Sequence, residues 1–142
     1  MGQLIKYLLD TNIVSEPAKI QPNKSVMQHL AKHDGEYATA SIVWHEMVYG
    51  CELLTSSTRK TQLQSYLAML LRNGLIVLPY DQPAADFYAK ERARLQLSGK
   101  TCAYADGEIA AIAISQNLTL VTRNIKDFEN FQGISLKNWF EE

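Results

Sequence analysis

The amino-acid sequence predicts an α/β fold, in which helices cover both faces of a parallel sheet. Four short apolar segments, each as long as a buried strand, alternate with longer segments whose apolar residues recur at helical spacing. This alternation is typical of parallel sheets, because parallel neighbours are joined by a long crossover that is usually a helix. The length of 142 residues fits one globular domain, residues 1–142.

The predicted strands are nearly continuous apolar runs, as expected for strands that are buried on both faces. They cover residues 4–9, 37–40, 75–78 and 118–121. The first strand ends in the polar residues Asp10, Thr11 and Asn12. The last strand ends in Thr122, Arg123 and Asn124. Polar residues are therefore expected where the strands end.

Capping residues are expected at the start of the first two predicted helices, and glycine or asparagine follows several of the helices. The helices begin at Asn23 or Ser25, at Ser41, and near residues 58, 84 and 106, and the last four end near residues 54, 72, 97 and 116. The helix that follows Asp106 is apolar on nearly all sides, and this pattern predicts that it is buried.

Four acidic residues are candidates for a common site, because ligands of open α/β sheets bind beyond the carboxyl ends of the strands. They are Asp10, Glu46, Asp106 and Asp127. Each also has an ordinary structural interpretation. Asp10 and Asp127 are possible helix caps, Asp106 is favourable in a first helical turn, and Glu46 suits an exposed helix position. Their joint placement is what favours a site.

A cluster of these acids predicts a divalent metal ion. Neighbouring carboxylates repel one another unless a cation joins them, and oxygen ligands suit Mg²⁺ or Mn²⁺ rather than zinc. Such ions activate water and stabilise a phosphate during in-line displacement. The net charge is only -1, so the chain as a whole offers no broad electrostatic attraction to nucleic acid. Local residues such as Lys90, Arg92 and Arg94 are candidates for phosphate contacts, although a solvated helix face is the commoner meaning.

The two cysteines, Cys51 and Cys102, have no familiar zinc spacing, which favours free thiols in a reducing compartment. No segment approaches the roughly 20 apolar residues that span a bilayer, and no signal peptide is expected. We therefore expect a cytoplasmic protein without membrane association.

Four motifs, taken in order, carry a resemblance to a known family. They are LLDTN, SIVWHEMVYG, ADGEIAAIA and LTLVTRNIKDF. Together they resemble the PIN domain, and more narrowly the VapC toxins of bacterial toxin–antitoxin pairs. The DTN…SEP opening and the ADG motif are most similar to the FitB-like branch. The resemblance implies a three-layer α/β/α sandwich with a central parallel sheet, which agrees with the pattern of elements.

The resemblance also implies an activity and its residues. PIN nucleases cut RNA with one or two Mg²⁺ or Mn²⁺ ions, so the chain is expected to be a metal-dependent endoribonuclease. Asp10 and Asp106 match direct metal ligands, and Glu46 matches the second acid of the site. Either Asn124 or Asp127 fills the fourth position. Polar neighbours would order water, metal or phosphate: Thr11, Asn12, Thr122 and Arg123.

The expected partners follow from the same resemblance. They are an RNA substrate, a cognate DNA-binding antitoxin and a second copy of the chain in a homodimer. The helices of residues 41–54 and 58–72 have more apolar surface than one sheet needs, which suits these contacts. One alternative stays open: a FitB-like regulatory module that binds operator DNA with a ribbon-helix-helix antitoxin and has little nuclease activity.

Overall fold

A computed structural model describes residues 4–141 and shows a five-stranded sheet whose strands are all parallel. The strands are β1 (Tyr7–Leu9), β2 (Tyr37–Ala40), β3 (Ile76–Leu78), β4 (Thr119–Val121) and β5 (Leu136–Lys137). Their order across the sheet is β3-β2-β1-β4-β5. The predicted α/β class is confirmed. The single domain stays a prediction, and its residues 1–3 and 142 lie outside the described residues.

Helices flank this sheet. They are α1 (Thr11–Val14), α2 (Lys24–Lys32), α3 (Ser41–Glu52), α4 (Thr58–Arg72), α5 (Gln82–Leu97) and α6 (Tyr104–Ser115). Asn23 caps α2 by accepting a hydrogen bond from the Val26 N–H at 3.0 Å. The predicted cap at Ser41 is wrong, because Ala40 occupies the cap position and Ser41 is already helical.

Two elements were not predicted from the pattern. The helix α1 has only four residues, and β5 has only two, so neither is long enough to show a periodicity. The first strand is also shorter than predicted, because only Tyr7–Leu9 pairs with its neighbours. Each difference concerns a short element or an element boundary and leaves the sheet unchanged.

The core beneath the sheet is dominated by α6, as its all-round apolar sequence predicts. Residues 109–113 are fully buried. Gly107 lies against the ring of Tyr88, and a Cβ atom there would be 2.1 Å from the Tyr88 Cζ atom. The glycine of the ADG motif is therefore required for the close packing of α6 on α5.

The strand order creates a crevice between β1 and β4. The chain runs from β1 outward to β2 and β3, and then returns to place β4 on the other side of β1. Ligands of open parallel sheets bind at such a reversal, beyond the carboxyl ends of the strands. Asp10 follows β1 and Thr122 follows β4, so the fold brings both residues to this crevice.

Within residues 4–141, no helix is long and apolar enough to cross a membrane.

Candidate metal centre

Asp10 is the most buried acid of the predicted site, with only 7% of its surface exposed. One carboxylate oxygen, Oδ1, accepts a hydrogen bond from the Thr11 N–H at 2.8 Å. The other, Oδ2, accepts one from the Thr122 hydroxyl at 2.8 Å. The Asp10 N–H donates to the Val121 carbonyl at 2.9 Å. The carboxylate is therefore held in one orientation between the ends of β1 and β4.

The electrostatic environment of Asp10 opposes its negative charge. Burial raises the pKa of Asp10, and hydrogen bonds from Thr122, Thr11 and Asn12 only partly offset this effect. The charge of Asp127 raises the pKa further. Asp10 caps α1, as its ordinary interpretation predicts, but capping does not exclude a second role because each carboxylate oxygen has a spare lone pair.

Asp106 lies in the first turn of α6 and is partly buried. Burial raises its pKa to about 6, with further contributions from the charges of Asp10, Asp127 and Glu46. All four predicted acids therefore share one electrostatic neighbourhood. The fold brings them there from four separate segments of the chain.

Glu46 and Asp127 are the exposed members of this group. Burial raises the pKa of Glu46 and the charge of Asp10 adds to the effect, whereas His45 lowers it. Asp127 ends a short 3-10 turn, Ile125–Asp127, which begins after Asn124. Asp127 is thus not the cap of a final helix, and its ordinary interpretation is wrong.

The predicted polar residues form a network between the ends of β1 and β4. The Thr122 hydroxyl accepts a hydrogen bond from the Asn124 N–H at 3.0 Å while it donates to Asp10. The Asn12 side-chain oxygen accepts one from the Arg123 N–H at 3.0 Å. Of these residues, Thr122 is fully buried. Its hydroxyl links the Asp10 carboxylate to the segment that carries Asn124.

The basic side chains have partners that sequence reasoning missed. The Arg123 guanidinium lies 4.3 Å from the centroid of the Phe140 ring. Arg94 binds the carboxylate of Glu91 through two nitrogens, at 2.7 and 2.8 Å. Arg92 lies 5.2 Å from the centroid of the Tyr104 ring. Phosphate binding by these residues stays a prediction.

A cavity of about 470 Å³ adjoins the acids and includes residues that the sequence did not indicate. Asp106 and Asp127 line it together with Lys126 and Cys102. Both cysteines are free thiols, as predicted. Lys126 is the nearest missed candidate, since it precedes Asp127 directly and brings a cation to a cavity that has two acids.

The donor set fits a hard divalent ion that keeps much of its water. Within residues 4–141, no three acidic, histidine or cysteine side chains are grouped closely enough to hold a metal ion by themselves. Mg²⁺ does not need such a cage, because it usually binds through one or two carboxylates and retains several waters. Asp10 and Asp106 provide two such carboxylates, and burial together with neighbouring negative charges raises the pKa of both.

Comparison with known proteins agrees with this fold. The PIN domain family model matches residues 7–133. The chain therefore belongs to the PIN-domain family, and the resemblance carried by its four motifs is confirmed. Among its relatives are toxins and ribonucleases of the VapC and FitB groups.

Two relatives and one solved structure illustrate the similarity. Toxin FitB of Neisseria gonorrhoeae is 38% identical over 125 residues, which cover 85% of this chain and 89% of FitB. Ribonuclease VapC2 of Rickettsia felis is 34% identical over 135 residues, 94% of this chain and 97% of the relative. The structure of FitAB bound to an IR36 DNA fragment superposes with a TM-score of 0.84 at 33% identity, and the match covers 96% of both chains.

Proposed function

We propose that the protein is a Mg²⁺- or Mn²⁺-dependent endoribonuclease and the toxin of a VapBC-like toxin–antitoxin pair that acts on RNA in the cytoplasm. One observation carries the proposal: Asp10 is held in one orientation at the switch point of the sheet, and the charges of Asp10, Asp127 and Glu46 all act on the partly buried Asp106. Acids whose charge is disfavoured by their surroundings are typical of functional sites. The names of the relatives, toxin and ribonuclease, support the same activity.

The residues have separate roles in this proposal. Asp10 and Asp106 would hold the ion, and Glu46 and Asp127 would complete the site. When bound, the ion would supply an activated water and positive charge for the phosphate. The fixed orientation of the Asp10 carboxylate, set by Thr122 and the Thr11 N–H, means that little reorganisation is needed to bind a ligand.

The remaining polar groups would contact substrate or ordered water. They are Thr11, Asn12, Thr122, Arg123 and Asn124. The Asn12 oxygen and Thr122 hydroxyl already bond the backbone of the 122–124 segment, so their first effect is to fix that segment. Neutral donors near a carboxylate cluster can approach a phosphate without adding further repulsion.

The partners are part of the proposal. A complex of a related protein, FitAB, has been solved on DNA. We propose that this chain also pairs with a DNA-binding antitoxin, and that it forms a homodimer through the apolar surfaces of α3 and α4. Exposed apolar side chains such as Val48, Tyr49 and Leu71 occur on these helices.

A second function has one observation in its favour. Asn124 and Asp127 are the two candidates for the fourth position of the site. If Asn124 fills this position, the site has a neutral amide there, which binds a divalent ion more weakly than a carboxylate does. A chain with weak metal binding would serve mainly as a regulatory module that binds operator DNA together with a ribbon-helix-helix antitoxin. Measured turnover separates the two functions.

The first experiment tests cleavage directly. The purified chain is incubated with total RNA and Mg²⁺ or Mn²⁺, beside Asp10→Asn, Asp106→Asn and the control Asp34→Asn, which changes an exposed acid on another part of the surface. We expect cleavage by the wild type and the control, and a loss of about 100-fold or more in the two site variants. Equal cleavage by all four proteins would contradict the assignment.

A second experiment separates toxin from regulator. Each variant is expressed with and without a cognate antitoxin, and both growth and operator binding are measured. The nuclease hypothesis predicts that growth stops only with active protein and no antitoxin, whereas operator binding is the same for wild type and Asp106→Asn. Growth that is unaffected by the wild type would favour the regulatory module.

A further inference from the structure

The segment that carries Asp127 has little regular structure of its own. Residues 125–132, here called the Asp127 segment, contain one 3-10 turn followed by bends and turns. The backbone bonds of Asp127, Phe128 and Phe131 are made to carbonyls only a few residues earlier. Local bonds of this kind do not fix a segment relative to the sheet. Something outside the segment must set where Asp127 lies.

Two side chains of α5 make that connection. The Glu91 carboxylate accepts a hydrogen bond from the Gln132 N–H at 2.5 Å. Arg94 donates to the Asn130 carbonyl at 2.8 Å while it binds Glu91 through two nitrogens. Glu91 is only 5% exposed, although it is a charged residue in the middle of a helix. A buried carboxylate is costly unless cations and N–H groups satisfy it, so this contact is specific.

The bonds made by Glu91 and Arg94 affect the position of Asp127 in the candidate site. They hold the far end of the Asp127 segment, and the buried rings of Phe128 and Phe131 hold its middle. Asp127 and Asp106 then line one cavity, whose wall also includes Leu95, the neighbour of Arg94 on α5. The helix α5 thus bonds to the Asp127 segment and also lines the cavity that Asp106 and Asp127 share.

We propose that Glu91 and Arg94 are positioning residues: they hold the Asp127 segment so that Asp127 stays beside Asp106 and contributes to metal binding. The metal-binding part of this inference rests on the proposed function. The positioning part rests only on the hydrogen bonds and the burial described above. Residues that orient a metal ligand without touching the metal commonly change affinity by 10–100-fold when they are removed, a general range for such partners.

The first test uses metal-free protein and amide hydrogen exchange. Glu91→Ala and Arg94→Met are compared with Glu129→Ala, which removes an exposed acid of the same segment. The measured amides are those of Asp127, Phe128 and Phe131, which bond to carbonyls three residues earlier and not to Glu91. We expect exchange about tenfold faster in the first two variants, and unchanged exchange in the control and in α4. Unchanged exchange at these amides in Arg94→Met would overturn the proposal, even if Glu91→Ala fails to fold.

The second test is a double-mutant cycle on Mn²⁺ affinity, measured by calorimetry. Arg94→Met should weaken binding about tenfold in the wild-type background and have no further effect in Asp127→Asn. An equal loss in both backgrounds would show that Arg94 does not act through Asp127 and would overturn the proposal. If the wild type binds no Mn²⁺, the proposed function and the metal role of the pair both fail, and hydrogen exchange alone decides the positioning.

Discussion

Four buried or partly buried acids divide into two pairs with opposite electrostatics. Burial alone would raise the pKa of Glu16, but bonds from Lys19 and the Asn23 N–H outweigh it and lower the pKa. Arg94 likewise lowers the pKa of Glu91. Asp10 and Asp106 have no cation partner among the contacts of residues 4–141, and burial raises both pKa values.

This difference separates structural acids from candidate functional ones. A buried carboxylate that is paired with cations and N–H groups has its charge compensated, and its bonds fix the surrounding chain. A buried charge that lies beside further carboxylates destabilises the empty site and is satisfied only when a cation binds. The two pairs therefore predict opposite effects on stability when an acid is neutralised.

The largest expected effect is a loss of stability when Glu91, one of the two acids paired with a cation, is removed. Glu91→Ala should lower the free energy of unfolding by about 2 kcal/mol, because the Gln132 N–H and the Arg94 guanidinium both lose the carboxylate that accepts their hydrogen bonds. Solvent near Arg94 limits the loss, since the freed guanidinium can be hydrated. Urea denaturation at pH 7 measures the change. The exposed Glu129→Ala serves as control and should stay within about 0.5 kcal/mol of wild type.

Neutralising Asp106, which has no cation partner among the described residues, should instead raise the free energy of unfolding. Asp106→Asn is expected to stabilise the metal-free fold by about 1 kcal/mol at pH 7, because it removes a repelled charge from the cluster. The gain is smaller than the full pKa shift implies, since Asp106 is partly exposed and solvent screens the repulsion. Urea denaturation in EDTA gives the value. If Asp106→Asn proves less stable than the wild type, Asp106 behaves like Glu16 and Glu91, which are paired with cations.

The pH dependence of this stabilisation follows from the raised pKa of Asp106. Folding raises the pKa of the group from 3.8 to about 6, so the folded state holds the proton more tightly. The stability that the protonated Asp106 side chain contributes to the wild-type protein is present in full below about pH 4 and is lost as pH rises through about 6. The advantage of Asp106→Asn should therefore be largest at pH 7 and disappear near pH 4, as the wild-type group becomes neutral. An advantage that is equal at both values would contradict the shift.

Sequence reasoning could find the unpaired acids because each belongs to a pattern. Asp10 ends an apolar strand, and Asp106 begins an all-apolar helix, so the switch-point rule places both at one edge of the sheet. Glu46 was a candidate because its helix follows the second predicted strand, and Asp127 because it lies a few residues after the polar end of the last predicted strand. The main helices and the central strands were predicted for the same reason: their periodicity is long enough to read.

The paired acids could not be found in this way. Glu91 occurs in a helix rich in charged residues, where a solvated position is the usual meaning, and in the structure its carboxylate accepts a bond from the Gln132 N–H, 41 positions away. The same limit applies to β5, whose two residues pair with β4 only because the chain returns there. Long-range contacts of single side chains leave no periodic signal in a sequence.

The smallest expected effect tests whether the exposed Glu46 belongs with the unpaired acids. Its charge raises the pKa of Asp106, but less than burial or the charges of Asp10 and Asp127 do. Glu46→Gln should therefore lower the pKa of Asp106, by less than Asp10→Asn does, in a carboxyl NMR titration of metal-free protein. Glu52→Gln changes another exposed acid of α3 and should leave the titration unchanged. If Glu46→Gln and Glu52→Gln behave alike, Glu46 is only a solvated helix position, and the site consists of Asp10, Asp106 and Asp127.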